Sequence, residues 1–208
     1  MISALFFVLA FAGFAALHSL LASARLKRRL FEVLPVFRYY YRLFYNVVAL
    51  VTFGLFWWAV PVVNFTLYEV SAPAAWLMHL VQLAGLAGLL YSLRCVDTGY
   101  FSGMKQLRDA SGHRREYHLD EPAAQQLVFT GPFRYVRHPL YSFSLLVLFF
   151  TPVMTLKWAL FSSCSLLYFV MGSRLEEQKL TARFGRQYEA YRRQVPALIP
   201  LPGRRLAD

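Results

Sequence analysis

Chemistry is concentrated in one short stretch of this sequence, GPFRYVRHPLYSF at residues 131–143, which immediately precedes an apolar run. Pro139 is placed to begin a helix, because proline is tolerated in the first helical turn. Arg137 and His138 would then lie at the N-terminus of that helix, where backbone N–H groups have no helical partner. A guanidinium, an imidazole and free N–H groups together suit an anionic or carboxylate-bearing ligand. The plainer alternative is that the arginine is a topology anchor and the histidine an interfacial residue.

Two adjacent carboxylates form the second candidate, Glu176 and Glu177 in the stretch RLEEQ at residues 174–178. Such a pair at a membrane surface is costly unless it is partnered or solvated. On a helix the two side chains point about 100° apart. One of them can therefore face a cationic ligand group while the other pairs with an arginine. A solvated helix turn is the alternative.

These two candidates flank one predicted helical hairpin, whose antiparallel arms would bring both to the same side of the membrane. An arginine–histidine mouth would then face a carboxylate pair. A ligand that carries both a carboxylate and a cation would match this arrangement. S-adenosylmethionine has that pattern, because it combines an amino-acid end with a sulfonium.

The elements that position these residues are predicted to be membrane helices. The sequence of 208 residues is 58% hydrophobic and 16% charged, and its apolar residues fall in long blocks. Blocks of about twenty apolar residues can cross a bilayer. The last block is interrupted by a proline, which breaks helical hydrogen bonding and predicts a tight hairpin with a short first arm. The predicted fold is all-α and integral to the membrane, with five transmembrane helices at residues 2–24, 43–63, 74–93, 140–151 and 156–173.

The distribution of positive charge predicts the orientation. Residues 25–42 carry six Lys or Arg, residues 94–137 carry seven and residues 174–208 carry eight, whereas residues 64–73 carry none. Because Lys and Arg remain on the cytoplasmic side, the N-terminus is predicted outside and the C-terminus in the cytoplasm. The membrane is expected to be a bacterial inner membrane. A net charge of +11 that flanks apolar blocks indicates contact with anionic membrane lipids and argues against nucleic-acid binding.

The C-terminal segment is predicted to form a cytoplasmic amphipathic helix. Its apolar stripe recurs at spacings of three and four, and consists of Leu180, Phe184, Tyr188, Tyr191 and Val195. The helix would either lie on the membrane surface or fold back over a cytoplasmic site. Whether the polar residues 109–126 close over that site is left open. No metal site is predicted, and the two cysteines are not expected to form a disulfide.

Three further residues are candidates for lining a substrate pocket, namely His18, Asn46 and Tyr135. An ionisable residue inside a membrane span is a functional candidate by default, which applies to His18. The alternatives for His18 are a neutral histidine bonded to a neighbouring helix and a haem ligand paired with His138. For Asn46, an interhelical hydrogen bond is favoured.

The stretch LVFTGPFRYVRHPLY, followed by RLEEQKLTARFGRQYEAYRRQV, resembles the isoprenylcysteine carboxyl methyltransferase and phospholipid methyltransferase superfamily. Members are small integral-membrane enzymes that use S-adenosylmethionine. The resemblance covers about the last eighty residues, and the matching positions are Gly131, Phe133, Arg137, His138, Pro139, Tyr141, Glu176 and Glu177. One position departs from the pattern, because Phe143 stands where a glycine is common. A reshaped approach for the ligand is therefore expected there.

The N-terminal half carries LHSLLASARLKRRL, YYRLFYNVVAL and SGMKQL, and the C-terminal half carries TPVMT and VPALIP. These stretches resemble the bacterial methanethiol S-methyltransferase group. The resemblance implies methyl transfer from S-adenosylmethionine to methanethiol, giving dimethyl sulfide. Other members of the superfamily methylate isoprenylcysteine carboxylates or phospholipid amines. The same first-helix His-Ser pattern also occurs in NnrU-like membrane proteins, some of which bind haem, so these remain alternatives.

The resemblance implies a single methyltransferase domain over residues 1–208 with its cofactor region at 131–195. S-adenosylmethionine is the expected cofactor, and a small or lipid-soluble molecule is the expected acceptor. No obligatory protein partner is expected, and no residue is assigned as a catalytic base. The residues expected to bind the cofactor are Arg137, His138, Pro139, Tyr141, Arg174, Glu176 and Glu177.

Overall fold

The computed structural model describes residues 2–60, 65–112 and 127–206. Nine α-helices lie in these ranges together with one short 3₁₀ turn and two short strands. In chain order the elements are α1 (Ile2–Ala22), α2 (Ala24–Val33), α3 (Phe37–Ala59), β1 (Thr66–Glu69), α4 (Ala74–Arg94), α5 (Thr98–Ser102), α6 (Met104–Gly112), the 3₁₀ turn (Gly131–Arg134), α7 (Pro139–Phe149), β2 (Val153–Thr155), α8 (Leu156–Phe184) and α9 (Arg186–Gln194).

The structure confirms a mostly helical membrane protein. Within the described residues three helices, α1, α3 and α4, are long and apolar enough to cross a membrane. They expose large apolar side chains such as Leu50 and Trp58, as expected for surfaces that face lipid. The end of the predicted span 43–63 lies outside the described residues. The count of five spans stays a prediction, because α7 has 11 residues and is only about 16 Å long.

The chain divides into two compact units, and the first comprises Met1–Pro61 and Val96–Gln126. Its core is an aromatic contact between α1 and α3, where the ring of Phe56 lies 5.0 Å from Phe7 and 5.8 Å from Phe11, centroid to centroid. The side chain of Asn46 in α3 donates to the carbonyls of Phe101 and Ser102, at 3.0 and 3.1 Å. Helix α3 therefore holds the end of α5 by its side chains.

The second unit comprises Val62–Cys95 and Leu127–Asp208, and α4 packs against α7 within it. The contact is close because Gly88 in α4 leaves room for the ring of Phe143 in α7. A Cβ atom at this glycine would overlap the ring. Since glycine has no side chain, the two helix backbones can approach with an aromatic ring between them.

The hairpin of α7 and α8 has the short first arm that the proline predicted. Three side chains donate hydrogen bonds to the last carbonyls of α7, which cannot be hydrated inside a bilayer. Gln82 of α4 donates to the carbonyl of Val147 at 3.0 Å. Trp158 and Ser162 of α8 both donate to the carbonyl of Leu148, at 2.8 and 3.3 Å.

Two short strands were not predicted from the sequence. Strand β1, in the connection before α4, pairs antiparallel with β2, in the connection between α7 and α8. The N–H of Val70 also donates to the carbonyl of Pro152 at 2.9 Å. The expectation of a purely α-helical chain therefore needs this small correction. Since β-branched residues favour extended backbone, Val153 and Thr155 suit the pairing.

The sequence pattern predicts one separate C-terminal helix. In the structure this segment is divided between the end of α8 and α9. Helix α8 continues without interruption from its apolar half to Phe184. Gly185 then takes a φ of 51°, a conformation that glycine adopts readily, and α9 begins at Arg186. The predicted stripe is nevertheless buried, because Tyr188, Tyr191 and Val195 form a core against Leu180 and Phe184.

Candidate functional site

A tight turn places the residues that open α7. Gly131 has a φ of 59°, and a Cβ atom there would lie 3.0 Å from the sulfur of Cys95. Only glycine fits both the backbone and the space. The turn leads to His138, which is the residue that caps the N-terminus of α7. Pro139 is the first helical residue, as predicted.

Five of the predicted site residues come together in one polar cluster. Glu177 is at its centre, since one carboxylate oxygen accepts from the Arg137 side chain at 2.6 and 2.9 Å and lies 3.2 Å from His138 Nε2. On the other side of the imidazole, His138 Nδ1 lies 3.5 Å from Glu176 Oε2. The Tyr141 hydroxyl donates to the same Glu176 oxygen at 3.4 Å. We refer to these five side chains as the polar cluster.

The two carboxylates have different environments. The Glu177 side chain is only 13% exposed and is engaged by both cations, whereas the Glu176 side chain is 50% exposed. When all four groups are ionised, the positive charges of Arg137 and His138 cancel the negative charges of the two glutamates. The exposed face of Glu176 is therefore the part of the polar cluster on which a further cation can bind.

The polar cluster shifts the ionisation of its members. Burial lowers the pKa of His138, but hydrogen bonds to Glu176 and Glu177 outweigh burial, so its pKa lies above the ordinary value. Burial raises the pKa of Glu177, but His138 and Arg137 outweigh it, so the pKa lies below the ordinary value. Burial, followed by the charge of Glu177, raises the pKa of Tyr188 to about 12. Near neutral pH the carboxylate is charged and this tyrosine is protonated.

An aromatic column adjoins the polar cluster, and sequence reasoning found only part of it. The ring of Tyr141 is stacked with His138 at 5.5 Å and with Phe169 at 4.8 Å between centroids, at interplanar angles of 10° and 7°. Phe169 of α8 was missed because one phenylalanine inside an apolar span has no distinctive pattern.

The backbone N–H groups before α7 are not open to a ligand, contrary to the expectation. The N–H of Arg137 donates to the carbonyl of Pro196 at 2.9 Å, and that of His138 donates to Ala197 at 3.0 Å. The chain after α9 returns to this point and takes both of these N–H groups. In the sequence the stretch VPALIP carries only a family resemblance, and its spacing does not predict these contacts with the start of α7.

Two of the predicted residues on the same unit do not join the polar cluster. Arg174 is exposed on α8, and among the described residues it makes no hydrogen bond to the other predicted ligands. Tyr135 is 48% exposed just before the helix. Phe143, the departure from the superfamily pattern, packs against Gly88 of α4. Its ring therefore fills a helix interface, which is the reason a large residue is tolerated where a glycine is common.

The two candidates on the first unit have identified partners. His18 Nε2 lies 2.5 Å from the hydroxyl of Tyr45 on α3, which corresponds to the neighbouring-helix alternative. The side-chain N–H groups of Asn46 bond the backbone at the end of α5, so the favoured interhelical role is observed. A substrate role for either residue and a haem-binding role for His18 stay predictions. No group of three or more metal-binding side chains is found among the described residues.

A cavity of about 500 Å³ lies beside α9 and is lined by Phe129, Arg134, Gln187 and Tyr191, among others. No member of the polar cluster lines it. The cavity is therefore not the place where the candidate chemistry is concentrated. Volume alone does not identify a site, and the convergence of charged groups around Glu177 is the stronger indication.

The known proteins that the chain resembles are all methyltransferases. The model of the phospholipid methyltransferase family matches residues 95–187, which include the polar cluster. A methanethiol S-methyltransferase of Crocosphaera subtropica is 42% identical over 100 residues, or 47% of this chain and 39% of that protein. Methanethiol S-methyltransferases 2 and 1 of Bradyrhizobium diazoefficiens are 32% and 30% identical, over 94% and 93% of this chain and 73% and 65% of their own lengths. No solved structure matches the chain significantly.

Proposed function

The chain belongs to the methanethiol S-methyltransferase family, within the phospholipid methyltransferase superfamily, and we propose that it methylates a small thiol with S-adenosylmethionine. The family and the apolar helices establish a membrane methyltransferase. The methyl donor and the acceptor are our proposals. The observation that carries them is the polar cluster, in which one carboxylate is held by two cations and the next is half exposed.

The residues of the polar cluster fit a donor that carries a positive charge. Glu176 presents an exposed carboxylate beside the hydroxyl and ring of Tyr141. A carboxylate attracts an ammonium or a sulfonium through their opposite charges. When bound, S-adenosylmethionine supplies a methyl group activated by its positive sulfur. In this proposal Glu176 and Tyr141 bind and orient the cationic part, while Glu177 holds the His138 ring in place.

The protein's contribution to methyl transfer is then positioning. An in-line displacement needs the attacking sulfur and the methyl carbon at near-attack distance with water excluded. A thiol reacts as its thiolate, and a small thiol can ionise in water before it binds. No covalent intermediate with the protein is required, and we assign no catalytic base.

The acceptor is tested by supplying the purified protein with S-adenosylmethionine and methanethiol and measuring dimethyl sulfide in the headspace. The proposal predicts dimethyl sulfide that depends on both reactants and on Glu176, with Glu189→Gln as a control for an exposed carboxylate on α9. Protein that binds S-adenosylmethionine but releases no dimethyl sulfide would refute the thiol acceptor.

A lipid acceptor is the second candidate, favoured by the match to the phospholipid methyltransferase model over residues 95–187. The same preparation, supplied with phosphatidylethanolamine vesicles and S-adenosylmethionine labelled in its methyl group, would transfer label to lipid if this candidate were correct. Label found in the volatile fraction only would support the thiol. Label found in the lipid only would replace our proposal with this one.

We further propose that the chain resides in a bacterial inner membrane with its polar cluster on the cytoplasmic side. The clusters of Lys and Arg before α3 and after α8 support this orientation. A water-soluble donor would then reach the polar cluster from the cytoplasm. An apolar or volatile acceptor would arrive from the membrane.

A further inference from the structure

We propose that residues 195–200, which we call the C-terminal strap, complete the cofactor site, and that Arg137 is a positioning residue joining this strap to Glu177. The proposal rests on the proposed function, because it concerns the same polar cluster. It distinguishes the residues that contact the donor from the residues that hold them in position. Arg137 would act through other residues, as would the buried His138, and Glu176 with the Tyr141 hydroxyl would form the face that meets the donor.

The strap lies along the residues that begin α7. Three donors at the start of this helix are satisfied by three successive strap carbonyls: the N–H of Arg137 by Pro196 at 2.9 Å, the N–H of His138 by Ala197 at 3.0 Å, and the hydroxyl of Ser142 by Leu198 at 2.6 Å. The first helical N–H groups otherwise lack partners. The N–H of the capping residue His138 is one of these groups, and the strap satisfies it, so the strap binds the backbone where α7 begins.

Most N–H donors of the Arg137 side chain are already hydrogen-bonded within the protein. Its Nε and Nη2 groups donate to Glu177, and its Nη1 group donates to the carbonyls of Arg192 and Val195. Four of the five N–H donors of a guanidinium therefore have acceptors within the chain. The side chain is only 10% exposed. At most one N–H of this guanidinium is left for a donor carboxylate, so the paired, fork-like binding of a carboxylate by arginine would require one of these bonds to break.

The strap and Arg137 act on the same residue from two directions. Ala197 holds the backbone of His138, whose φ and ψ of −123° and 65° are not helical. Glu177, held by Arg137, bonds the His138 ring. The ring in turn lies against Glu176 and Tyr141, where the donor is proposed to bind. Loosening the strap would therefore disorder the binding face without removing any group from it.

Ser142→Ala tests the strap, because alanine keeps the helix and removes only the hydroxyl, whose shorter contact is to Leu198 at 2.6 Å and whose longer one is to the His138 carbonyl at 3.1 Å. Ser144→Ala, on the same helix, is the matched control. Binding of S-adenosylmethionine is measured by calorimetry in detergent. One lost hydrogen bond should weaken binding by roughly two- to tenfold in Ser142→Ala, and Ser144→Ala should bind as the unaltered protein does.

Arg137→Gln tests the positioning role through the pH dependence of binding. The ionisable groups around Glu177 are Arg137, His138, Glu176, Tyr188 and Tyr191. Because Arg137 helps to hold the pKa of Glu177 low, its removal should move the acid limb of binding to higher pH. An arginine that bound the donor's carboxylate directly would instead weaken binding of S-adenosylmethionine but not of its decarboxylated analogue, whereas a positioning residue should weaken the binding of both alike.

The outcomes separate this inference from the proposed function. If the unaltered protein does not bind S-adenosylmethionine, the proposed function fails and the inference fails with it. If it binds, and Ser142→Ala matches Ser144→Ala while Arg137→Gln leaves the acid limb unmoved, the inference alone is wrong. Weakened binding in Ser142→Ala together with a shifted acid limb in Arg137→Gln would support both parts.

Discussion

At the scale of single residues, the adjacent carboxylates have different tasks. Glu177 is nearly buried and receives two cations, so it belongs to the framework. Glu176 is half exposed and keeps one face for a ligand. A helix imposes this difference, because successive side chains diverge by about 100°. The sequence predicts that the pair divides its partners, with Glu177 fixing the cofactor and Glu176 in support, and the observed exposures lead us to propose the reverse.

The framework role predicts a pH-dependent stability. Glu177→Gln should lower the stability by about 2 kcal/mol, the value of a hydrogen bond to a charged group, and the melting temperature by about 4–8 °C. The raised pKa of His138 means that its contribution is present at low pH and is lost as pH rises through that pKa. The lowered pKa of Glu177 means that its contribution is lost as pH falls below 4.5 through that pKa.

The difference in melting temperature between the unaltered protein and Glu177→Gln should therefore be widest between these two pKa values. Thermal unfolding in detergent across the acidic and alkaline range measures it. Glu176→Gln, which changes an exposed carboxylate, is the matched control and should cost less. A difference that stays constant across the whole range would show that the polar cluster is not coupled as described.

At the scale of elements, α7 is an incomplete span whose ends are completed by its neighbours. The N–H of its capping residue His138 is bonded by the strap, and its last carbonyls are bonded by Gln82, Trp158 and Ser162. The sequence predicted a short arm from the proline and the length of the apolar block. It could not predict these partners, since each is a single polar side chain in an apolar helix with no periodic signal.

The close packing of α4 on α7 predicts the effect of adding one methyl group. Gly88→Ala should lower the melting temperature, because its Cβ overlaps the ring of Phe143, even though alanine favours helices by about 1 kcal/mol over glycine. Gly54→Ala in α3, where nothing lies within 4 Å, should not lower it. The comparison needs only thermal unfolding of the two variants.

A second substitution checks the cause. Phe143→Ala in the Gly88→Ala background should recover part of the loss, since the overlapping ring is gone, and a coupling of about 0.5–3 kcal/mol is expected for residues in contact. Purely additive effects of the two substitutions on stability would mean that the overlap with the Phe143 ring is not the reason glycine is needed at position 88.

At the scale of the whole molecule, hydropathy and charge predicted the membrane class, and the described helices confirm it. An apolar stripe on the C-terminal segment was also predicted, and three of its residues are buried inside the protein. A position on the membrane surface and a fold over the site stay alternative predictions. Tyr188 and Tyr191 pack inside the protein, against the end of α8. The break at Gly185 and the return of the strap depend on long-range contacts, which local periodicity does not contain.

The proposed orientation predicts the sides on which two exposed residues lie. In a variant without Cys95 and Cys164, a cysteine at Glu69 in β1 should react with a membrane-impermeant maleimide in intact cells. A cysteine at Glu189 in α9 should react only after the membrane is opened. Labelling of both from the same side would refute the arrangement of the last spans.

The most direct test of the central claim is calorimetric titration of S-adenosylmethionine into the detergent-purified protein and into Glu176→Gln, with Glu189→Gln as the control. Glu176 is the right position because it is half exposed, so its replacement leaves the buried pair of Arg137 and Glu177 in place. Our account predicts saturable binding that Glu176→Gln weakens by roughly ten- to hundredfold, the loss of one charged hydrogen bond, and that Glu189→Gln leaves unchanged. Equal binding by all three proteins, or no binding by any, would contradict the assignment of the polar cluster as the site of the methyl donor.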